Sequence, residues 1–258
     1  MKKLHLVIIL VITWSMFTQC SAVKRSVTPA HYKTIEKQTV LIESVTVVTP
    51  DKCKNDSKEK DGDEVCQNLI RELPPIRGAS VGTGTFIKVG KKIVVLTAEH
   101  VCSPDAVPDE VKTDAGITIF TKVEHTINVN SRFFSGKGTI LKRNAHLDLC
   151  LLSLDSQPNA LVAKIAQSAP ERGSKIHYAG APFGSMSMDM LMLFEGRHAG
   201  SRDKFLVFAM PCEQGTSGSG VRNSENQIFS IVQRVNGNFK HMCYGVRADL
   251  LREFLGLE

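Results

Sequence analysis

The sequence predicts an all-β fold, a barrel or a sandwich, ended by one C-terminal helix. Apolar runs of strand length, rich in Val, Ile, Thr and Phe, recur between turn-forming connections, and sustained helical periodicity is scarce. A length of 258 residues, 42% of them apolar and 22% charged, is a globular composition sufficient for one large domain or two small ones.

MKKLHLVIILVITWSMFTQCSA begins basic and then runs almost unbroken in apolar residues from Leu6 to Phe17. It reads as a secretory signal over residues 1–22, with Cys20 and Ala22 small enough to precede a cleavage after Ala22. The run is short for a membrane span, which takes about 20 residues. An uncleaved anchor, or a lipid on Cys20 behind the bulky Gln19, is the alternative. TVLIESVTVVT suits one or two strand passes, and the charged stretch 51–65 reads as a polar loop. Pro74 and Pro75 force an extended or turning path.

GTGTFIKV and KKIVVLTAEH pair as a hairpin joined at Val89-Gly90. GITIFTKVEHTINV, LDLCLLSL, KIHYAGAP, KFLVFAM, QIFSIVQRV and MCYGV supply later strands. SQPNA and SAPERGS connect two barrel-sized groups, which divides the chain into an N-terminal domain over 23–160 and a C-terminal domain over 161–258. In ADLLREFLGLE, Leu250, Leu251, Phe254 and Leu255 share one helical face, and Asp249 near the start complements the helix dipole.

The formal charge of +6 falls to +4 without Lys2 and Lys3, and no basic tract is interleaved with aromatics. Nucleic acid is therefore excluded as a partner. Six cysteines remain beyond the signal: Cys53, Cys66, Cys102, Cys150, Cys212 and Cys243. Export permits disulfides, with fifteen complete pairings open. Cys53 with Cys66 is the local candidate, clamping KNDSKEKDGDEV, whereas Cys150 inside LCLLSL reads as a buried free thiol. The expectation is one or two bridges. No spacing suits structural zinc, and no metal or organic cofactor is implied.

Three segments carry chemistry. His100 ends IVVLTAEH, where a rigid strand holds a histidine at a cleft edge; Asp148 stands at the start of the apolar run LCLLSL; and Ser217 sits in EQGTSGSGV among glycines. A buried carboxylate needs hydrogen-bond donors, and a histidine Nδ1–H is one. A neutral serine is a poor nucleophile and needs a base to take its proton and return it to a leaving amine. The N–H groups of Gly215 and Ser217 would cradle the resulting oxyanion. Taken singly, each segment is an ordinary surface or turn feature; their joint order gives them weight. Ser219, His146 and Asp155 are the weaker candidates for the same roles.

LTAEHVC, DLCLLSL and QGTSGSGV resemble the histidine, aspartate and serine segments of the chymotrypsin-like serine proteases, and in the same order. GTGTFI before the histidine hairpin and FSIVQRVNG after the serine extend the resemblance over about Ser80 to Glu258. The resemblance implies two six-stranded antiparallel β-barrels with the active cleft between them, a serine endopeptidase using His100, Asp148 and Ser217, and a protein or peptide substrate. It also implies a primary pocket near Ala209, Met210 and Pro211, and a wall at Ile231, Val232 and Gln233 able to bind an extended peptide. None of the pocket residues is acidic, which argues against Lys or Arg before the cleaved bond and for a small or apolar residue. Arg234 could attract an acidic side chain.

The departures are specific. Glu99 stands beside the histidine where the family has alanine, and a carboxylate there would raise the histidine pKa if it came near. Cys102 lies one position late for the family's usual bridge, while Cys212 and Cys243 resemble the pair that brackets the substrate pocket. Thr216 replaces the aspartate that captures a new N-terminal amine in zymogens, so that activation route is absent and the chain stands closer to bacterial and viral members. Two other readings stand beside the enzyme: a silent protease-fold binding protein, and a serine esterase, whose G-x-S-x-G motif Gly215–Ser219 fails to complete.

Overall fold

Two antiparallel sheets hold all the strands among the described residues. The structure is a computed structural model and describes residues 29–55, 62–103, 110–112, 117–185 and 190–257; the signal expected over 1–22 lies outside them. Among the described residues helix α1 (Pro29–Gln38) comes first. Every strand belongs to the unit Thr34–Glu258.

The first sheet holds β1 (Thr39–Asn55), β2 (Ile76–Val89), β3 (Lys92–Thr97), β4 (Glu110–Lys112), β5 (Ile117–Ser131), β6 (Phe134–Asn144) and β7 (Leu149–Leu154). Its order is β1-β2-β3-β7-β6-β5-β4, and β1 also pairs with β5, so six strands close a ring from which β4 projects. The second sheet is a closed barrel of order β10-β13-β12-β11-β8-β9. Its strands are β8 (Lys175–Gly180), β9 (Met192–Arg202), β10 (Phe205–Ala209), β11 (Gly220–Arg222), β12 (Ile228–Asn236) and β13 (Phe239–Val246). The expected all-β architecture and its terminal helix, α4 (Ala248–Leu255), are present.

Several elements differ from expectation. The hairpin turn falls on Gly90 and Lys91, one residue later than Val89-Gly90. Of the stretch 51–65, residues 51–55 continue β1 past an irregularity at Pro50/Lys52, and helix α2 (Gly62–Glu72) begins within it. α2 has little core of its own: Cys66 packs with Ile117 and Ile119, and a disulfide ties it to Cys53 on β1. Strands β6 and β9 are unexpected: their short apolar stretches, Ile140-Leu141 and Met192 to Phe194, are set among Gly, Lys, Arg and Glu, and their hydrogen-bonding partners identify them.

Strand β12 opens IFSIV without alternation because both of its faces are buried there. Ile228 and Ile231 join a core formed by β1, β2, β3 and β7, while Phe229 and Val232 join the core of the second barrel with Tyr178 and Phe208. Helix α4 crosses back to the first of these cores, where it buries Leu251, Phe254 and Leu255. Each such side chain contributes about 1.5–3 kcal/mol. Lys142 on β6 donates to the Phe254 carbonyl (2.5 Å) and lies 4.7 Å above the Phe254 ring centre.

Three disulfides form, not the expected one or two: Cys53–Cys66, Cys102–Cys150 and Cys212–Cys243. Cys150 is not a free thiol. The β3–β7 register sets Cys150 opposite Thr97, and the short helix α3 (Glu99–Cys102) turns back from the end of β3, so Cys102 reaches it with Cα atoms 6.7 Å apart. That proximity is created by pairing between distant strands and has no local signature.

Candidate active site

His100 lies on α3, just past the buried end of β3, with its side chain 48% exposed. Asp148 closes the turn before β7. Its backbone is left-handed (φ +51°), which suits aspartate better than most residues, and the residue is 8% exposed. His100 Nδ1 is 2.9 and 3.0 Å from the two Asp148 carboxylate oxygens, and the His100 backbone N–H donates to Oδ1 at 3.1 Å. Burial pushes the Asp148 carboxyl upward, but the His100 hydrogen bonds and charge outweigh it and hold the group below the usual carboxylate range. The contact fixes the imidazole with Nε2 turned away from the acid.

Glu99 does not approach the imidazole through this network. Its carboxylate accepts from Ser103 Oγ (2.6 Å) and lies 3.7 Å from the Arg143 guanidinium, which itself donates to Ser103.

Ser217 is half-buried on the loop between β10 and β11. That loop hangs from β2 of the first sheet. Thr83 N–H donates to the Ser217 carbonyl (2.8 Å), Thr83 Oγ1 donates to the Gly215 carbonyl (2.8 Å), and the same hydroxyl accepts the Ala181 N–H (3.1 Å). Gly218 is packed so tightly that an added Cβ would lie 2.2 Å from both the Thr83 carbonyl and Thr97 Oγ1, at φ +86°. It would also lie 2.9 Å from the N of Ala98, two residues ahead of His100. The serine loop and the histidine segment thus share one wall. Among the described residues no hydrogen bond joins Ser217 Oγ to His100 Nε2; backbone contacts bring the two segments together.

The two peptides that precede Gly215 and Ser217 are held by their carbonyls. The Gln214 carbonyl accepts Phe183 N–H (2.6 Å) and the Thr216 carbonyl accepts Ser219 N–H (3.1 Å). In a planar trans peptide the N–H points opposite the C=O, so the Gly215 and Ser217 N–H groups are turned away from these partners. Neither donates a hydrogen bond among the described residues. Two idle donors on a buried loop are a ready anion cradle.

Thr216 is fully buried, and its hydroxyl donates to the Glu213 carbonyl (2.7 Å). Tyr178, whose phenol burial pushes above its ordinary pKa, donates to the Pro211 carbonyl (2.8 Å) on the same loop. The loop is therefore braced by neutral groups at the position where zymogens carry a carboxylate.

Of the remaining predicted residues, Ala209 ends β10 exposed, Met210 is buried and Pro211 half-buried. Ile231 is buried in the first core. Val232 spends both backbone groups on the serine loop, accepting from Gly218 N–H (2.7 Å) and donating to the Ser219 carbonyl (2.9 Å). Gln233 points into the protein, onto the backbone at Leu147 and Asp148. Arg234 is exposed and rests over the Phe205 ring. Sequence reasoning missed Thr83 and the strained Phe183 (φ +53°) as braces of the loop. The only trace of the first is a threonine between glycines in GTGTF, and the second has none.

No sequence among curated proteins matches the chain. Among solved structures, the fold is similar to the active form of the Rv3671c protease from M. tuberculosis, with a TM-score of 0.56 at 16% identity over 90% of this chain and 87% of that one. It is also similar to a serine endoprotease from Yersinia pestis, with a TM-score of 0.57 at 15% identity over 86% of this chain and 62% of that one. At such identities the likeness is one of fold. Residues 82–231 match the trypsin-like peptidase domain family, a span that runs from the glycine beside Thr83 through the histidine, aspartate and serine segments into β12. The chain belongs to that family of peptidases.

Proposed function

We propose that the protein is a serine endopeptidase that works through an acyl-enzyme. Ser217 Oγ attacks the peptide carbonyl while His100 Nε2 takes its proton, and Asp148 holds the ring and stabilises the imidazolium. The Gly215 and Ser217 N–H groups bind the oxyanion. Collapse of the tetrahedral species breaks the C–N bond, and the imidazolium gives its proton to the leaving amine. Water, activated by His100, then cleaves the ester and restores Ser217. The observation that carries this reading is the bonded His100–Asp148 pair beside a loop whose two N–H donors stand idle.

The substrate is an extended peptide or an exposed protein segment. Ala209, Met210 and Pro211 offer no acid to a cationic side chain, so the residue before the cut is small or apolar. On a chromogenic peptide library, Ala, Val or Leu there should exceed Lys or Arg in kcat/KM by roughly tenfold or more; a preference for the basic residues overturns the assignment. Three disulfides fit an oxidising compartment outside the cytosol, reached through the signal at 1–22, with membrane attachment only if that segment is retained.

The decisive experiment treats the folded protein with a fluorophosphonate and maps the adduct by peptide mass spectrometry. Label on Ser217, lost in His100→Ala, is expected. An inert Ser217 in folded protein would return the chain to the silent binding reading.

A further inference from the structure

Gln233 lies on β12, immediately after the residue whose backbone holds the serine loop. It is 3% exposed, and its side chain crosses from the second barrel to the turn ahead of β7. Nε2 donates to the Leu147 carbonyl (2.5 Å) and to the Asp148 carbonyl (2.9 Å), a pair of acceptors that only the NH2 end can satisfy. The other end, Oε1, is buried with no partner among the described residues. An unpartnered buried carbonyl costs stability; a leucine or methionine there would remove it but would take the donor from the Leu147 and Asp148 carbonyls. What Gln233 donates to is the left-handed peptide turn at Asp148, a backbone shape that needs support from its surroundings.

We infer that Gln233 is a positioning residue: by clamping the Leu147 and Asp148 carbonyls it sets the carboxylate that orients His100, and it does so from the strand that also sets Ser217. The links form one line. Val232 binds Gly218 and Ser219, Gln233 binds the backbone at Asp148, and Asp148 binds His100. Acid and nucleophile, which belong to different barrels, are thus indexed to adjacent residues of β12, and a shift of that strand moves both together.

The kinetic part of this inference rests on the proposed peptidase mechanism; the geometric part does not. Gln233→Met keeps volume and removes the donor. Its kcat should fall roughly 10- to 100-fold, as for a misplacement of about 1 Å, with KM within about twofold. Independently, the low-field proton resonance of His100 Nδ1–H, read by NMR, should move upfield or broaden because its charge-assisted bond to Asp148 is loosened. Should Gln233→Met fail to fold, Gln233→Asn withdraws the amide by one methylene and carries the same expectation. A folded variant with wild-type kcat and an unmoved resonance overturns the inference. So does a loss of kcat that only tracks the folded fraction. If the wild-type protein hydrolyses nothing but the resonance still moves, the peptidase reading falls and the positioning role of Gln233 stands.

Discussion

Asparagine at position 148 should lower kcat about 10,000-fold while the protein stays folded. The present carboxylate accepts two N–H groups from one residue, His100 N and His100 Nδ1. Asparagine offers one oxygen. If that oxygen keeps the backbone N–H, the amide NH2 faces Nδ1 and forces the proton onto Nε2, where it can no longer accept from Ser217. Substrate binding is untouched, so KM should hold and the loss should fall on kcat. The check is active-site-titrated kinetics alongside thermal melts.

The same substitution changes acid stability. The Asp148 pKa is depressed in the fold, so its contribution is fully present above the unfolded value of about 3.9 and is lost as pH falls through the lower folded value. Asp148→Asn removes that portion of the acid transition, so the variant's melting temperature should fall less steeply than wild type's below about pH 4. An equal slope in both proteins would contradict the assigned role of the carboxylate.

Replacing Cys102 and Cys150 together by alanine should cost about 4 kcal/mol of stability, the loop-closure value for a bridge of this span. The bridge joins residues 48 apart, each two positions after a member of the histidine–aspartate pair. Its loss therefore does more than loosen the fold: the end of α3 and the start of β7 separate, and the carboxylate drifts from the imidazole. Activity per folded molecule should drop by roughly tenfold or more, consistent with a sub-ångström change in reacting geometry. Cys53→Ala with Cys66→Ala is the control. That bridge spans 13 residues and holds α2 to β1 and β5, so about 3 kcal/mol should go with no change in kcat. Equal kinetic effects from the two pairs would show that the first bridge has no special hold on the site.

The strands legible in the sequence are those with a buried face. IVVLT, LCLLSL and FSIV announce themselves because burial writes continuous apolar runs, and α4 does so through its single apolar stripe. β6 and β9 stay hidden because FSGKGTILKRN and MLFEGRHAGSR owe their strand state to neighbours, not to their own pattern. α2 is masked by charge, since a short helix stapled by a disulfide needs little apolar surface. At the site, His100 and Asp148 are readable because each abuts a strand with a strong signature, and the fold brings them to 2.9 Å. The braces are not. Thr83, Phe183 and Gln233 act through backbone groups of distant residues, and nothing in a threonine, phenylalanine or glutamine announces which carbonyl it will meet 30 to more than 130 positions away.

Helix α4 packs into the core of the first sheet, and β2 of that sheet together with β12 holds the Ser217 loop. A nascent chain leaves the ribosome N-terminus first. Its histidine and aspartate segments are therefore made long before the residues that complete their core. On the proposed mechanism, a nascent chain long enough to hold both His100 and Asp148 still lacks Ser217, which follows 69 residues after the aspartate, so the three groups meet late in synthesis.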